Sequence, residues 1–454
     1  MTRIFWFRKD LRLQDNEALS SCCETAISDN DSSVLACYVY QRDNFESLSG
    51  IRQHSLTASL ESLSFSISGS LVIAEGDPAL ELVKLAKEHE AAHVYATESF
   101  DPVGIDQQRR VSAALEAVGK KLVLAGSNYA VKPGQVVKPT DGSAYRVYTP
   151  FYKAWFDIGW PLPYQLPAGI NWVKTKPTHL PKPTKDSLFR VRAGEAFAIE
   201  TFERFKKRAL FDYSDNRNRA DLSGTSKLSH ALAHGEIHPR TLLAELRDTP
   251  GHNVFRKEIA WREFYADVLF RNPHTVNDYY VPRFAKMRYD KGKEAEKKLE
   301  LWKAGMTGFP MVDAGMRQLA REGWMHNRVR MIVASFLVKD LHLEWQVGAD
   351  WFEQSLSDFD PASNSHGWQW TAGCGTDASP YYRVFNPILQ GYKFDPDGNY
   401  VRKYIPELAH IQGSEVHEPW ALVDGLVNGY PEPMLDHSAE RDESLRRLEE
   451  IKEK

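Results

Sequence analysis

Short runs of apolar, β-branched residues recur through the first part of the chain, at 4–7, 34–40, 71–74, 93–96 and 122–125. Between them, at 79–89 and 105–120, apolar positions follow a helical period. Strands alternating with amphipathic helices predict parallel βαβ units covered on both faces, so residues 1–130 read as a doubly wound α/β domain with a parallel sheet. Between 131 and 195 the pattern breaks. Prolines at 133, 139, 150, 161, 163, 167, 177, 181 and 183 argue against long regular elements, since each removes a backbone donor and crowds the preceding turn. This stretch reads as an interdomain linker, and its aromatic knot YTPFYKAWFDIGW, 148–160, as packed on a surface. From 196 to 454, periodic apolar positions at 196–209, 239–246, 255–270, 310–322 and 329–341 predict a mainly α-helical domain. Its charged end, 438–454, reads as a solvated helix with Leu445, Leu448 and Ile451 facing inward.

Length agrees with two domains, because 454 residues exceed one comfortable core. A formal charge of −4 excludes a uniformly basic nucleic-acid coat but allows a local basic face. Four cysteines, Cys22, Cys23, Cys37 and Cys374, lack any CxxC spacing, which points to a reduced, cytoplasmic protein. The opening MTRIFWFRKDLRL turns charged too soon for a signal peptide or a membrane span. A GxGxxA match at 373–378 follows no strand and is no dinucleotide fingerprint. His234, His238, His326 and His366 lack metal-ligand spacing, so no metal is expected.

Four stretches carry chemistry. DFDPASNSHGWQWTAGCG, 358–375, sets acids and amides beside Trp368 and Trp370; GWMHNRVRMIVASFLVKD, 323–340, opens an apolar helix with a tryptophan, a histidine, an amide and two arginines. Buried amides and charges need partners, so ordinary cores do not concentrate them. In KEIAWREFYADVLFRNP, 257–273, helical spacing puts Glu258, Trp261 and Tyr265 on one face. That face is either a half-exposed amphipathic surface or a wall for a flat, hydrogen-bonding ring such as a nucleobase. GTSKLSHALAHGEIHPR, 224–240, sets small hydroxyl residues before an apolar helix pattern. It reads as a capped structural helix or as a phosphate cradle made of backbone N–H groups.

Taken together and in order, these segments resemble the photolyase and cryptochrome family, closest to its class I cyclobutane pyrimidine dimer (CPD) photolyases. The likeness runs from WFRKDLRLQDN, 6–16, to VFNPILQGYKFDPDGNYVRKYIPEL, 384–408. It implies FAD, reduced when active, as cofactor, and DNA containing pyrimidine dimers as partner of a monomeric lyase. The excited flavin would pass an electron to a flipped-out dimer and recover it after the ring splits.

By family position, Thr225, Ser226, Lys227, Leu228 and Ser229 would hold the flavin pyrophosphate, with Tyr213 and Phe255 further cofactor contacts. Arg330 and Asp358 would pair beside the isoalloxazine, near Asp360. Asn364 would face its N5; photolyases generally have asparagine there, plant cryptochromes aspartate and animal ones cysteine. Glu258 would hydrogen-bond the dimer and Trp261 pack against it. Asn327, Met331 and Trp370 would line the lesion pocket. Arg217, Arg328, Arg383 and Gln390 would meet DNA, with Arg402 and Lys403 as neighbours. Trp368 and Trp345 match the first two members of the family's electron-transfer chain. The third tryptophan would fall near 291–292, where none is present; Tyr289 and Trp302 are the substitutes.

A cryptochrome-type photoreceptor is the main rival; it would be favoured by a long C-terminal extension and another residue at 364. A (6–4) photolyase would carry two histidines where this chain has His326 and Asn327. In a small-molecule redox flavoprotein the helix bearing Glu258 and Trp261 would have no purpose. For an antenna pigment, SFDPVGIDQQRRV, 99–111, is similar to the deazaflavin-type pattern rather than the folate type, with Asp101 and Arg109 as candidate contacts.

Overall fold

The β-branched runs form five parallel strands, β1 (Arg3–Phe7), β2 (Ser33–Tyr40), β3 (Leu71–Glu75), β4 (His93–Thr97) and β5 (Lys121–Ala125), in the order β3-β2-β1-β4-β5. The computed structural model describes residues 2–29, 32–176, 178–187, 192–377 and 382–452. Pro177 of the proline series and Ala378 of the GxGxxA match lie outside them. Alternation along β1 explains why the runs are apolar throughout. Ile4 and Trp6 join one core with Leu35, Cys37, Leu82, Leu85, Val111 and Leu115. Phe5 and Phe7 join the other, with Ala18, Leu19, Cys22, Cys23, Leu60 and Leu63. The sheet is therefore buried on both faces by helices, as a parallel sheet requires. All four cysteines are buried and unpaired.

The proline-rich stretch is more ordered than its composition predicts. Residues Tyr148–Ile158 form a helix. Pro150 falls in its first turn, where a missing N–H costs nothing. A sixth strand, β6 (Asn171–Trp172), pairs parallel with Ser33 and Val34 at the start of β2. Prolines thus confined the regular elements without excluding them.

The chain divides into two compact units, residues 1–208 with 226–273, and residues 209–225 with 274–454. In the first, the helix Pro250–Arg271 is tied down through Glu263. This fully buried carboxylate accepts from Ala130 N, Val131 N (3.0 Å) and Trp155 Nε1 (2.6 Å). Burial raises its pKa and the three donors work against that rise.

In the second unit, the helix Asn327–Ser335 runs into a widened turn, Phe336–Asp340, in which Leu341 N reaches back five residues to Phe336 O at 2.9 Å. The terminal helix His437–Lys452 docks by polar pairs that no periodicity reveals. His437 pairs with Asp340, Glu440 with His342 (2.6 Å), and Arg447 with Asp290 (2.9 Å). Leu448 and Ile451 are buried and Leu445 half-buried, the inward face the sequence predicts. Among the described residues no helix is long and apolar enough to cross a membrane.

The widened turn also buries Lys339, whose Nζ donates to Arg383 O and lies 4.2 Å from the Tyr382 ring centroid. Burial pulls this amine from 10.5 down to about 7. Between those values the unfolded chain binds more protons than the folded one, so this group makes stability rise with pH. Lys339→Met should remove up to about 1.4 kcal/mol per pH unit of that rise, read by urea unfolding at several pH values from neutral to alkaline. An unchanged slope would contradict the assignment.

Candidate active site

Three helices build the polar centre of the second unit. Helix Asn327–Ser335 is capped by His326, whose Nδ1 accepts from Arg328 N at 3.1 Å. Helix Pro361–Ala372 starts at Asp360, which accepts from Ser363 N at 2.7 Å, and stops at Gly373 with φ 85°. Helix Trp345–Ser355 packs beside it. Gly348 lets the two approach, because a Cβ there would collide with the Trp368 indole. Across this group Arg330 Nη2 donates to Asp358 Oδ2 at 2.7 Å, and Arg330 Nε to Met325 O at 2.8 Å. The Asp358 side chain is 0% exposed, and its Oδ1 has no hydrogen-bond partner among the described residues. Asn364 Nδ2 donates to Ala349 O at 3.1 Å, so the amide presents its oxygen as the remaining acceptor.

The helix Pro250–Arg271 lies in the first unit. Glu258, Trp261 and Tyr265 are half-buried on one side of it, while Ile259, Phe264 and Val268 are buried. Phe255 is buried against Phe202 and Phe205.

Two family models match the chain, "DNA photolyase" over residues 3–168 and "FAD binding domain of DNA photolyase" over 255–450. A deoxyribodipyrimidine photo-lyase of Agrobacterium fabrum is 38% identical over 97% of this chain and 96% of its own. The chain belongs to the DNA photolyase family. Among solved structures it is similar to a bacterial class III photolyase from Agrobacterium tumefaciens, with TM-score 0.89, 35% identity, and 100% and 98% of the two chains covered. It is also similar to a Synechocystis cryptochrome, with TM-score 0.85, 26% identity, and 98% of each chain covered. This photolyase-family chain is an enzyme, and its C-terminal part is an FAD-binding domain.

The residues present fit a flavin. A buried carboxylate oxygen without a partner, an arginine fixed by two acceptors and an oriented amide are groups that a heterocycle rich in N–H and C=O would satisfy. Arg330, Asp358 and Asn364 would hold the ring; Asp360 is committed through one oxygen to its helix cap. The segment 225–229 departs from the helix start expected of it. The helix after it spans only Ser229–Ala233, and no Ser or Thr side chain caps it. Ser226 Oγ instead accepts from Leu228 N at 3.4 Å, and Lys227 takes a left-handed conformation at φ 54°. Thr225, Ser226 and Ser229 are half-buried, Leu228 and Tyr213 buried, and Lys227 exposed.

Trp368 is buried edge-on to Phe352 (5.0 Å) and Trp302 (6.2 Å). Trp302 is itself 0% exposed and donates to Val333 O, so it is a core residue and no surface terminus. Trp345 meets Tyr279 edge-on at 6.2 Å, and burial raises the hydroxyl pKa of the half-buried Tyr289 strongly.

Of the residues given to DNA, Asn327 and Arg383 are exposed and Arg217, Met331, Trp370 and Gln390 half-buried. Trp370 Nε1 donates to Asp377 O. Arg328 is engaged inside the unit, with Asn218 Oδ1 at 2.8 Å and the Phe394 ring at 4.6 Å. Arg402 is spent on Ile411 O, Gly413 O, Asp397 O and Asn399, which takes it out of the basic face expected beside the exposed Lys403. Asp101 caps the helix Pro102–Glu116 at Gly104 N and pairs with Lys9; Arg109 pairs with Asp106 in solvent. Sequence reasoning overlooked Tyr148. The aromatic knot was its only signal.

Asp358→Ala would leave Arg330 with Met325 O alone, at a cost of about 3 kcal/mol in stability. Purified variant should carry markedly less flavin absorbance, with Asp358→Asn intermediate. Flavin content and stability equal to the parent chain would refute the assignment of this pair.

Proposed function

We propose that the chain repairs cyclobutane pyrimidine dimers in DNA in a light-driven reaction. The observation carrying this reading is Glu258 and Trp261, a half-buried carboxylate and indole about one turn apart on a helix that is otherwise largely buried. A base acted on by an enzyme leaves the stack, and photolyases are a standing example of such base flipping. A lesion with weakened pairing costs less to extrude, which favours it over intact sequence. Trp261 offers the extruded bases a flat apolar wall, and Glu258 offers hydrogen bonds to their edges. Asn327, Met331 and Trp370 keep the lesion contacts that the resemblance implies, and Arg217, Arg328, Arg383 and Gln390 the contacts to DNA. When bound and reduced, FAD supplies on excitation the electron that opens the dimer and takes it back, without net redox change. A neutral amide at Asn364 suits a reduced, anionic ring, because it offers N5 a hydrogen bond without imposing a proton. This favours repair over a cryptochrome-type role. His326 followed by Asn327, where (6–4) enzymes carry two histidines, favours the cyclobutane lesion. For an antenna pigment, Asp101 and Arg109 are the candidate contacts, and the resemblance puts a deazaflavin ahead of a folate.

Incubating the reduced protein with an oligonucleotide containing one thymine dimer should restore intact thymines in blue light and leave them damaged in darkness. Glu258→Ala should lower the repair yield by about tenfold or more with an unaltered flavin spectrum. Bound FAD with no light-dependent repair would overturn the reading in favour of a photoreceptor.

A further inference from the structure

The aromatic knot of 148–160 has no part in the function described so far. It forms the helix Tyr148–Ile158, fastened to the helix Pro250–Arg271 at two levels. At one, Trp155 Nε1 donates to Glu263 Oε2 at 2.6 Å and Phe151 packs on Phe264 with centroids 5.0 Å apart. At the other, Tyr148 stacks on Trp261, centroids 3.7 Å apart and planes within 8°, and its hydroxyl donates to Lys257 O at 2.6 Å. Lys257 and Trp261 stand one turn apart and bracket Glu258, so one side chain holds both ends of the turn that carries the carboxylate and the indole.

Apolar packing alone does not call for this geometry. Phe264 meets both rings edge to face, Tyr148 at 70° and Trp261 at 75°, an arrangement the ring quadrupoles favour over a face-to-face sandwich. Tyr148 is 7% exposed and Trp261 only half-buried. An indole on a half-exposed helix face would otherwise move between rotamers and would have to be ordered by its ligand. Covering one face with a buried tyrosine orders it during folding instead, so that binding a flat ligand on the remaining surface loses less freedom.

We propose that Tyr148 is a positioning residue for lesion recognition, fixing the Trp261 ring and the turn of Glu258 for the extruded pyrimidines. The proposal rests on the reading of Trp261 as a lesion contact. The test uses FAD-loaded protein in darkness and compares its affinity for a thymine-dimer duplex with that for the same duplex undamaged. This ratio does not change with the fraction of protein that is folded. Tyr148→Met, which fills the space without a ring, should lower the ratio about five- to tenfold, and Tyr148→Phe, which keeps the stack, by no more than about twofold. In a Trp261→Ala background Tyr148→Met should lower it no further. Tyr148→Leu reads the same quantity if the methionine variant does not fold. A ratio unchanged in Tyr148→Met but lowered in Trp261→Ala overturns this proposal alone. A ratio unchanged in Trp261→Ala overturns the reading of Trp261 and the proposal with it.

Discussion

The polar centre of the helical unit is built around a buried carboxylate that the chain only half compensates. Asp358 is wholly enclosed and pairs with Arg330 through one oxygen, while its other oxygen meets no donor among the described residues. Such an arrangement is costly in a low-dielectric interior. Glu263 supplies the contrast. It is just as enclosed, yet two backbone amides and an indole satisfy it. One carboxylate is finished by the protein and serves to fasten a helix. The other keeps one oxygen unsatisfied among the described residues, the place proposed for a flavin in a chain that carries an FAD-binding domain.

Around this centre the fold does positional work. Gly348 gives up its side chain so that Trp368 can lie against the neighbouring helix. Asp360 starts its helix, and the amide of Asn364, one turn on, is turned by Ala349 O. The widened turn after Ser335 carries Lys339 and Asp340 inward, where Lys339 holds the segment of Arg383 and Asp340 holds the terminal helix through His437. In the first unit the same economy appears at Tyr148, where one ring and one hydroxyl fix a whole turn.

The sheet was legible because a strand buried on both faces must be apolar at every position, and β1 to β5 lie within a residue of the runs that predict them. Helix Pro310–Glu322 was legible from its period alone. The helix Tyr148–Ile158 was not, because the prolines argue against long regular elements, whereas Pro150 falls in a first turn, where a helix tolerates it. The short helix at Ser229 escaped for the opposite reason, its apolar spacing outlasting the hydrogen-bonded turns. Arg402 looked like a phosphate contact until Asp397 and Asn399 beside it and Ile411 and Gly413 further on supplied four acceptors. Charge says what a side chain can bind, and only geometry says what it has already bound. The flavin residues were read from a resemblance of long, ordered segments, since no local pattern marks Asp358 as incompletely paired.

The most direct test compares amide hydrogen exchange in the flavin-stripped protein and after reconstitution with FAD. If the buried polar centre is completed by the cofactor, residues 325–335 and 358–372 should exchange markedly more slowly with FAD bound, while β1 to β5 stay equally protected. Equal exchange of those two segments in both states would mean that the chain satisfies its own interior, and would contradict the account.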